Sequence, residues 1–189
     1  MKSFTRKDWI LAAVMLVLVT GLTALLRLDV TYKTETYGYF TLGDTAVYVS
    51  AALLGGPLGA LVAGIGSALA DLFAGHASYA WGSFFIKGLM ALLFAWYVRR
   101  GHTLMHLIKG VCIGGGTMIV LYFLYDLIIR NDYLYAAIGL PFNLLQALAG
   151  GLLSVAVLFF VGGKSYRLGN GFRSEKIGGT PSATKRTLK

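Results

Sequence analysis

Residues 57–98 read PLGALVAGIGSALADLFAGHASYAWGSFFIKGLMALLFAWYV. Two apolar runs, 57–74 and 82–98, flank the loop Gly75-His-Ala-Ser-Tyr-Ala-Trp81, and the charged side chains within them are Asp71 and Lys87. A bilayer core is crossed by about 20 apolar residues of helix, fewer where neighbouring helices shield the span. The stretch therefore predicts two antiparallel membrane helices. Gly55-Gly56 supply a tight turn ahead of them, and Pro57 suits a first helical turn because its missing amide has no partner there.

Working outward by the same criterion gives spans at 9–28, 42–55, 57–74, 82–98, 106–129 and 140–161. The span 42–55 is short enough either to cross or to form a re-entrant hairpin with the next. Composition agrees with a membrane chain: 57% of the 189 residues are hydrophobic and 13% charged, mean hydropathy is +0.69, and soluble domains carry roughly 25% charged residues. The expected fold class is an all-α integral membrane protein, a six-helix bundle, multi-pass in the cell membrane.

Charge placement sets direction. Lys2, Arg6 and Lys7 precede the first run, Arg99, Arg100 and Lys109 follow the fourth, and residues 162–189 carry seven more cations, while the other side has Arg27, Lys33 and Arg130. The positive-inside rule then makes both termini cytoplasmic and turns loops 29–41, 75–81 and 130–139 outward. A formal charge of +9 is thus explained by orientation. Without a basic face interleaved with aromatics, nucleic acid is not an expected partner. The first run reaches Leu26 without a clear A-x-A site and reads as a retained helix. Segment 162–189, rich in small polar and basic residues, reads as a cytosolic tail that either contacts anionic headgroups or only fixes topology.

Asp44, Asp71, Lys87, Asp126 and Asn143 lie inside apolar runs, where an uncompensated polar group costs several kcal/mol. With Gln146 they fall at similar depth near the outward face, which places a binding site there. Asp71 lies about 6 Å and Lys87 about 8 Å below their loop, at ~1.5 Å per residue, so the two can pair. Such a pair is either structural or leaves Lys87 to donate to a ligand oxygen. Tyr122 and Asp126 share a helical face, as do Asn143 and Gln146. Tyr79, Trp81, Tyr122 and Tyr125 offer flat apolar walls; for Tyr79 and Trp81, as for Tyr133 and Tyr135 in the next outward loop, an interfacial aromatic belt is the other reading. Asp44 has a second reading as a helix cap in the turn Thr41-Leu-Gly-Asp. The outward loop 29–41, with Tyr37, Tyr39 and Phe40, is aromatic enough to fold over the pocket as a lid.

Ala60, Gly64 and Ala68 form one row of small residues, and Gly59, Ala63 and Ser67 another; Gly110/Gly114 and Ala147/Gly151 repeat the spacing. Such rows let helices pack closely, within the bundle or against a partner, and Ala13, Thr20 and Ala24 on the first span offer the same choice. No metal site is expected: His102 and His106 are spaced i,i+4 but lack a carboxylate, His76 stands apart, and the single Cys112 has no companion. No cofactor is called for. Walker A and G-x-S-x-G motifs are absent, so the chain is not read as an enzyme or as an ATPase in itself.

The Gly43-Asp44 turn, the Gly-Pro-Gly-rich third span ending Ala-Leu-Ala-Asp71, and Phe85-Ile-Lys87-Gly88 together resemble the substrate-binding S components of energy-coupling factor (ECF) vitamin importers, in the group around riboflavin, hydroxymethylpyrimidine and pyridoxine carriers. The resemblance covers residues 38–95 closely and the rest by topology. Many members carry Ala-x-x-x-Ala on the first span, where this chain has Thr20-x-x-x-Ala24. What the resemblance implies is a six-helix protein that captures a vitamin from outside and joins a shared transmembrane subunit and two ATPases, then rotates within the membrane to deliver it. The polar constellation suits a small hydroxymethylated nitrogen heterocycle, hydroxymethylpyrimidine or a pyridoxine-type vitamin, with riboflavin the larger alternative. From another class, Asp44, Asp71 and Asp126 would serve a proton-coupled carrier or an intramembrane enzyme.

Overall fold

A computed structural model describes residues 4–32, 35–101 and 103–162. The chain runs α1 (Arg6–Leu25), β1 (Arg27–Tyr32), β2 (Glu35–Thr41), α2 (Gly43–Leu54), α3 (Gly56–Phe73), α4 (Ala77–Val98), α5 (Leu104–Arg130) and α6 (Tyr133–Gly162). The basic tail from residue 163 onward, His102 and Lys33 lie outside the described residues.

Five of the six helices, α1 and α3 to α6, are long and apolar enough to cross a membrane. The 12-residue α2 rises only about 18 Å against a hydrocarbon core of about 30 Å. Its environment explains how so short a helix is tolerated. Gly43, Asp44, Ala46, Val47, Tyr48, Ser50, Ala51, Ala52 and Leu54 are all buried, so α2 lies within protein rather than lipid, where its ends need not reach water.

The helices begin and end where local chemistry dictates. Thr5 caps α1 in a reciprocal box with Asp8, and Thr103 caps α5 by accepting from the His106 amide at 3.3 Å. At the α2–α3 junction Gly55 has φ +85°, a left-handed turn that Gly adopts without strain. α3 then packs on three helices at once. A Cβ at Gly64 would lie 2.6 Å from the Phe84 carbonyl oxygen on α4, and one at Gly59 2.7 Å from Ala51 Cα on α2. On the α1 side, the Thr20 hydroxyl donates to the Gly66 carbonyl at 3.1 Å. Gly59 and Gly64, one from each small-residue row of α3, thus serve packing within the chain.

Three sequence expectations are corrected. The segment 29–41 is an antiparallel hairpin rather than an irregular loop, and it starts at Arg27, so the fold is helical with one small sheet. The turns after α3 and α5 are shorter than expected: α4 begins at Ala77 and α6 at Tyr133, which puts Tyr79, Trp81, Tyr133 and Tyr135 on helices. Pro141 lies inside α6 rather than at its start. It cannot donate to the Ala137 carbonyl one turn back, a local break in the backbone ladder beside Asn143.

Candidate functional site

The hairpin ends on the bundle. Register pairs Arg27 with Thr41 and Asp29 with Tyr39, and because side chains alternate across a strand, Arg27 and Asp29 share a face with their partners Thr41 and Tyr39. On that face Arg27 reaches inward. Its side chain, 5% exposed, meets Asp29 at 2.7 Å through Nε and Asp71 of α3 at 3.0 Å through Nη1, while its guanidinium stacks 3.7 Å over the Tyr39 ring. Asp71 also accepts from Ser83 of α4, whose hydroxyl lies 2.8 Å from that of Tyr122 on α5. Burial, and then the charge of Asp71, push the Tyr39 hydroxyl above its ordinary range, so it stays a proton donor.

A second buried network joins α2, α4 and α6. Lys87 pairs with the Oδ1 of Asp44, and Asp44 Oδ2 accepts from Gln146 Nε2 at 2.9 Å. The Gln146 carbonyl oxygen accepts from the Thr41 amide at 3.3 Å, and the Thr41 hydroxyl lies 3.2 Å from the Thr23 carbonyl. One chain of polar contacts therefore links α4, α2, α6, the end of β2 and α1. Each member satisfies another, which is what makes burial of so many polar groups affordable.

The third group is aromatic. The Tyr79 hydroxyl donates to Asp126 Oδ1 at 2.8 Å and sits 3.2 Å from the Tyr135 hydroxyl, and Arg130 stacks 4.8 Å over the Tyr135 ring. Between the three groups is a cleft lined by Arg27, Tyr39, His76, Tyr79, Tyr122, Asp126, Arg130, Tyr135, Gly139, Asn143 and Gln146. It encloses about 490 Å³ including its open mouth, of which only a small part is wide enough for water. The part that could take a small molecule, about 40 Å³, is far below the roughly 300–1,000 Å³ of small-molecule pockets, so the side chains nearly close the cleft in this structure.

Of the residues expected from sequence, Tyr79, Tyr122, Asp126, Asn143 and Gln146 line this cleft. Asp71 and Lys87, 0% and 1% exposed, lie behind it as supports. They do not pair with each other, contrary to expectation. Ser83, one turn before Lys87 on α4, is the residue that reaches Asp71, while Lys87 reaches past it to α2. Asp44 is not a cap, since its carboxylate is spent on Lys87 and Gln146. Trp81 is 73% exposed on the outer surface of α4 and takes no part. In the expected lid, Tyr39 lines the cleft, Phe40 is half-buried, and the side chain of Tyr37 lies outside the described residues. In the expected docking set, Ala13 is exposed and Ala24 half-buried, and Thr20 is engaged with Gly66.

Arg27, His76, Arg130, Tyr135 and Gly139 were missed. In sequence Arg27 and Arg130 read only as outward-side charges, and the contact of Arg27 with the buried Asp71 becomes visible only in the fold. No cue marks Gly139.

A family model described as "ECF-type riboflavin transporter, S component" matches residues 3–162. A protein of Pyrococcus woesei described as an "Uncharacterized protein in gap 3'region" is 31% identical over 104 residues, covering 55% of this chain and 68% of that one. The match to the family model runs through every helix and the hairpin, and so through the whole cleft. The chain therefore belongs to the ECF-type riboflavin transporter S component family, the vitamin-capture subunits of ECF importers.

Proposed function

We propose that this chain captures a small hydroxymethylated nitrogen heterocycle, of the hydroxymethylpyrimidine or pyridoxine type, in the cleft beneath the hairpin. The observation that carries this reading is the lining itself: four tyrosine rings around Asp126, Asn143 and Gln146. Flat apolar walls suit a planar ring, and a carboxylate and two amides suit its nitrogen and hydroxyl groups. The narrow interior favours a ligand smaller than a fused three-ring system. Riboflavin is the second reading, favoured by the printed description of the family. On either reading the chain binds and does not catalyse.

In this proposal the hairpin acts as the lid, with Tyr39 and Phe40 over the ligand, and Arg27 latches it to α3. The six helices all count as spans, with α2 shielded, and both termini face the cytoplasm, so that the cleft opens outward. A shared membrane subunit and two ATPases supply the energy, and the exposed face of α1 around Ala13 and Ala24 is the docking face.

Native mass spectrometry of the purified chain, followed by titration with hydroxymethylpyrimidine, pyridoxine and riboflavin, tests the ligand. One of the first two should bind most tightly. Replacement of Asn143 or Asp126 by Ala should weaken that binding by about 1–3 kcal/mol, the cost of a lost buried hydrogen bond. Unchanged affinity in both variants removes the cleft as the site.

A further inference from the structure

The cations in and directly behind the cleft are outnumbered by carboxylates of the same chain. Arg27 lies between Asp29 and Asp71, and His76 Nε2 lies 3.8 Å from the same Asp29. Lys87, just behind the lining, is held by Asp44. Arg130 stacks on Tyr135 and lies within electrostatic range of Asp126. Among the described residues in and directly behind the cleft, three full positive charges thus face four carboxylates.

We infer that this site takes its ligand as the free alcohol and rejects the phosphate monoester of the same molecule. The inference rests on the reading of the cleft as the vitamin site. A phosphate dianion entering here would lose its water and meet more carboxylates than cations. To recruit Arg27 it would have to displace Asp71, which is 0% exposed and would be left as an uncompensated buried charge. Rejection of this kind comes from like charge built into the site, whereas acceptance of the alcohol needs only hydrogen bonds. The hydroxyl end of a heterocycle meets donors and acceptors already present in Asn143, Gln146 and the tyrosines.

The experiment is calorimetric titration of the purified full chain with hydroxymethylpyrimidine, pyridoxine and riboflavin, each beside its phosphate monoester and its neutral acetate ester. For whichever parent alcohol binds, the phosphate should bind at least 100-fold more weakly, and the acetate should fall much closer to the parent. The variant Asp29→Asn, at the exposed rim, removes one carboxylate from Arg27 and His76 and should narrow the gap between phosphate and alcohol about tenfold. A phosphate that binds within threefold of its alcohol overturns the inference and leaves the vitamin reading standing. An acetate rejected as strongly as the phosphate shows that size rather than charge decides, and a gap that Asp29→Asn does not change shows that this carboxylate does not set it; either result also overturns the inference. If none of the three alcohols binds, the vitamin reading itself fails and the inference falls with it.

Discussion

Lys87 shows how one side chain can be costly and still stabilise. An ammonium 1% exposed is tolerated because Asp44 meets it directly and Gln146 binds the second carboxylate oxygen. Removing one partner leaves the other charge stranded, so Lys87→Met should destabilise by about 3–5 kcal/mol, as for other broken buried pairs. Adding Asp44→Asn to Lys87→Met should recover much of that loss. The combination of Lys87→Met with Asp71→Asn should instead be close to additive, because Asp71 belongs to Arg27 and Ser83. Thermal unfolding in detergent of the singles and both doubles separates the two pairings. At the same scale, Trp81→Ala should leave ligand affinity unchanged, since that ring is exposed outside the cleft; Tyr79→Phe, which removes the hydroxyl that donates to Asp126, should lower affinity by about 1 kcal/mol.

Among the elements, α3 is the keystone, because its glycines let three helices approach it. Gly64→Ala would push a Cβ to 2.6 Å from the Phe84 carbonyl oxygen, and backbone cannot yield as a flexible side chain does. Overpacking of this kind costs typically 1–3 kcal/mol. Gly116→Ala on α5 is the control, since nothing lies within 4 Å of the new Cβ and the helix gains propensity. Unfolding temperatures of the two variants should therefore move in opposite directions. The hairpin is the contrasting element. It is held at its base by Thr41 and at its inner face by Arg27, so Arg27→Gln should loosen it. Limited proteolysis of the hairpin should become faster in that variant and slow again when ligand is added.

At the scale of the whole molecule, α1 stands at the rim with Trp9, Ile10, Ala13, Val14 and Val17 exposed, and a groove between it and α3 is lined by Leu16, Val17, Thr20, Gly21, Ala24, Leu25, Leu69 and Phe73. If this is the face that meets the shared membrane subunit, Ala13→Leu with Ala24→Leu should abolish uptake in cells holding the ATPase module and leave ligand binding by the purified chain intact. Thr20 is a poorer probe, because replacing it also removes its bond to Gly66. Proteoliposomes with this chain alone should not accumulate ligand under a proton gradient; accumulation there would favour the carrier reading built on Asp44, Asp71 and Asp126.

The sequence by itself determined that the chain is helical and apolar enough for a bilayer, where its long helices lie, and which polar residues are too expensive to be accidental. Those follow from local quantities: hydropathy over a window, the missing amide of Pro57, the cost of a buried Asp or Lys. Five cleft residues, Tyr79, Tyr122, Asp126, Asn143 and Gln146, were legible in this way, each marked by polarity or aromaticity at one depth. Which partner each charge takes was decided only by the tertiary structure. Asp71 could not be assigned to Arg27, 44 positions away, nor Asp44 to Lys87, 43 away, because pairing depends on how the helices are rotated about their axes and on where the hairpin folds, and depth alone carries neither. The same reason hid Arg27: a residue at the end of a span reads as solvated until a sheet is seen to carry it back over the bundle.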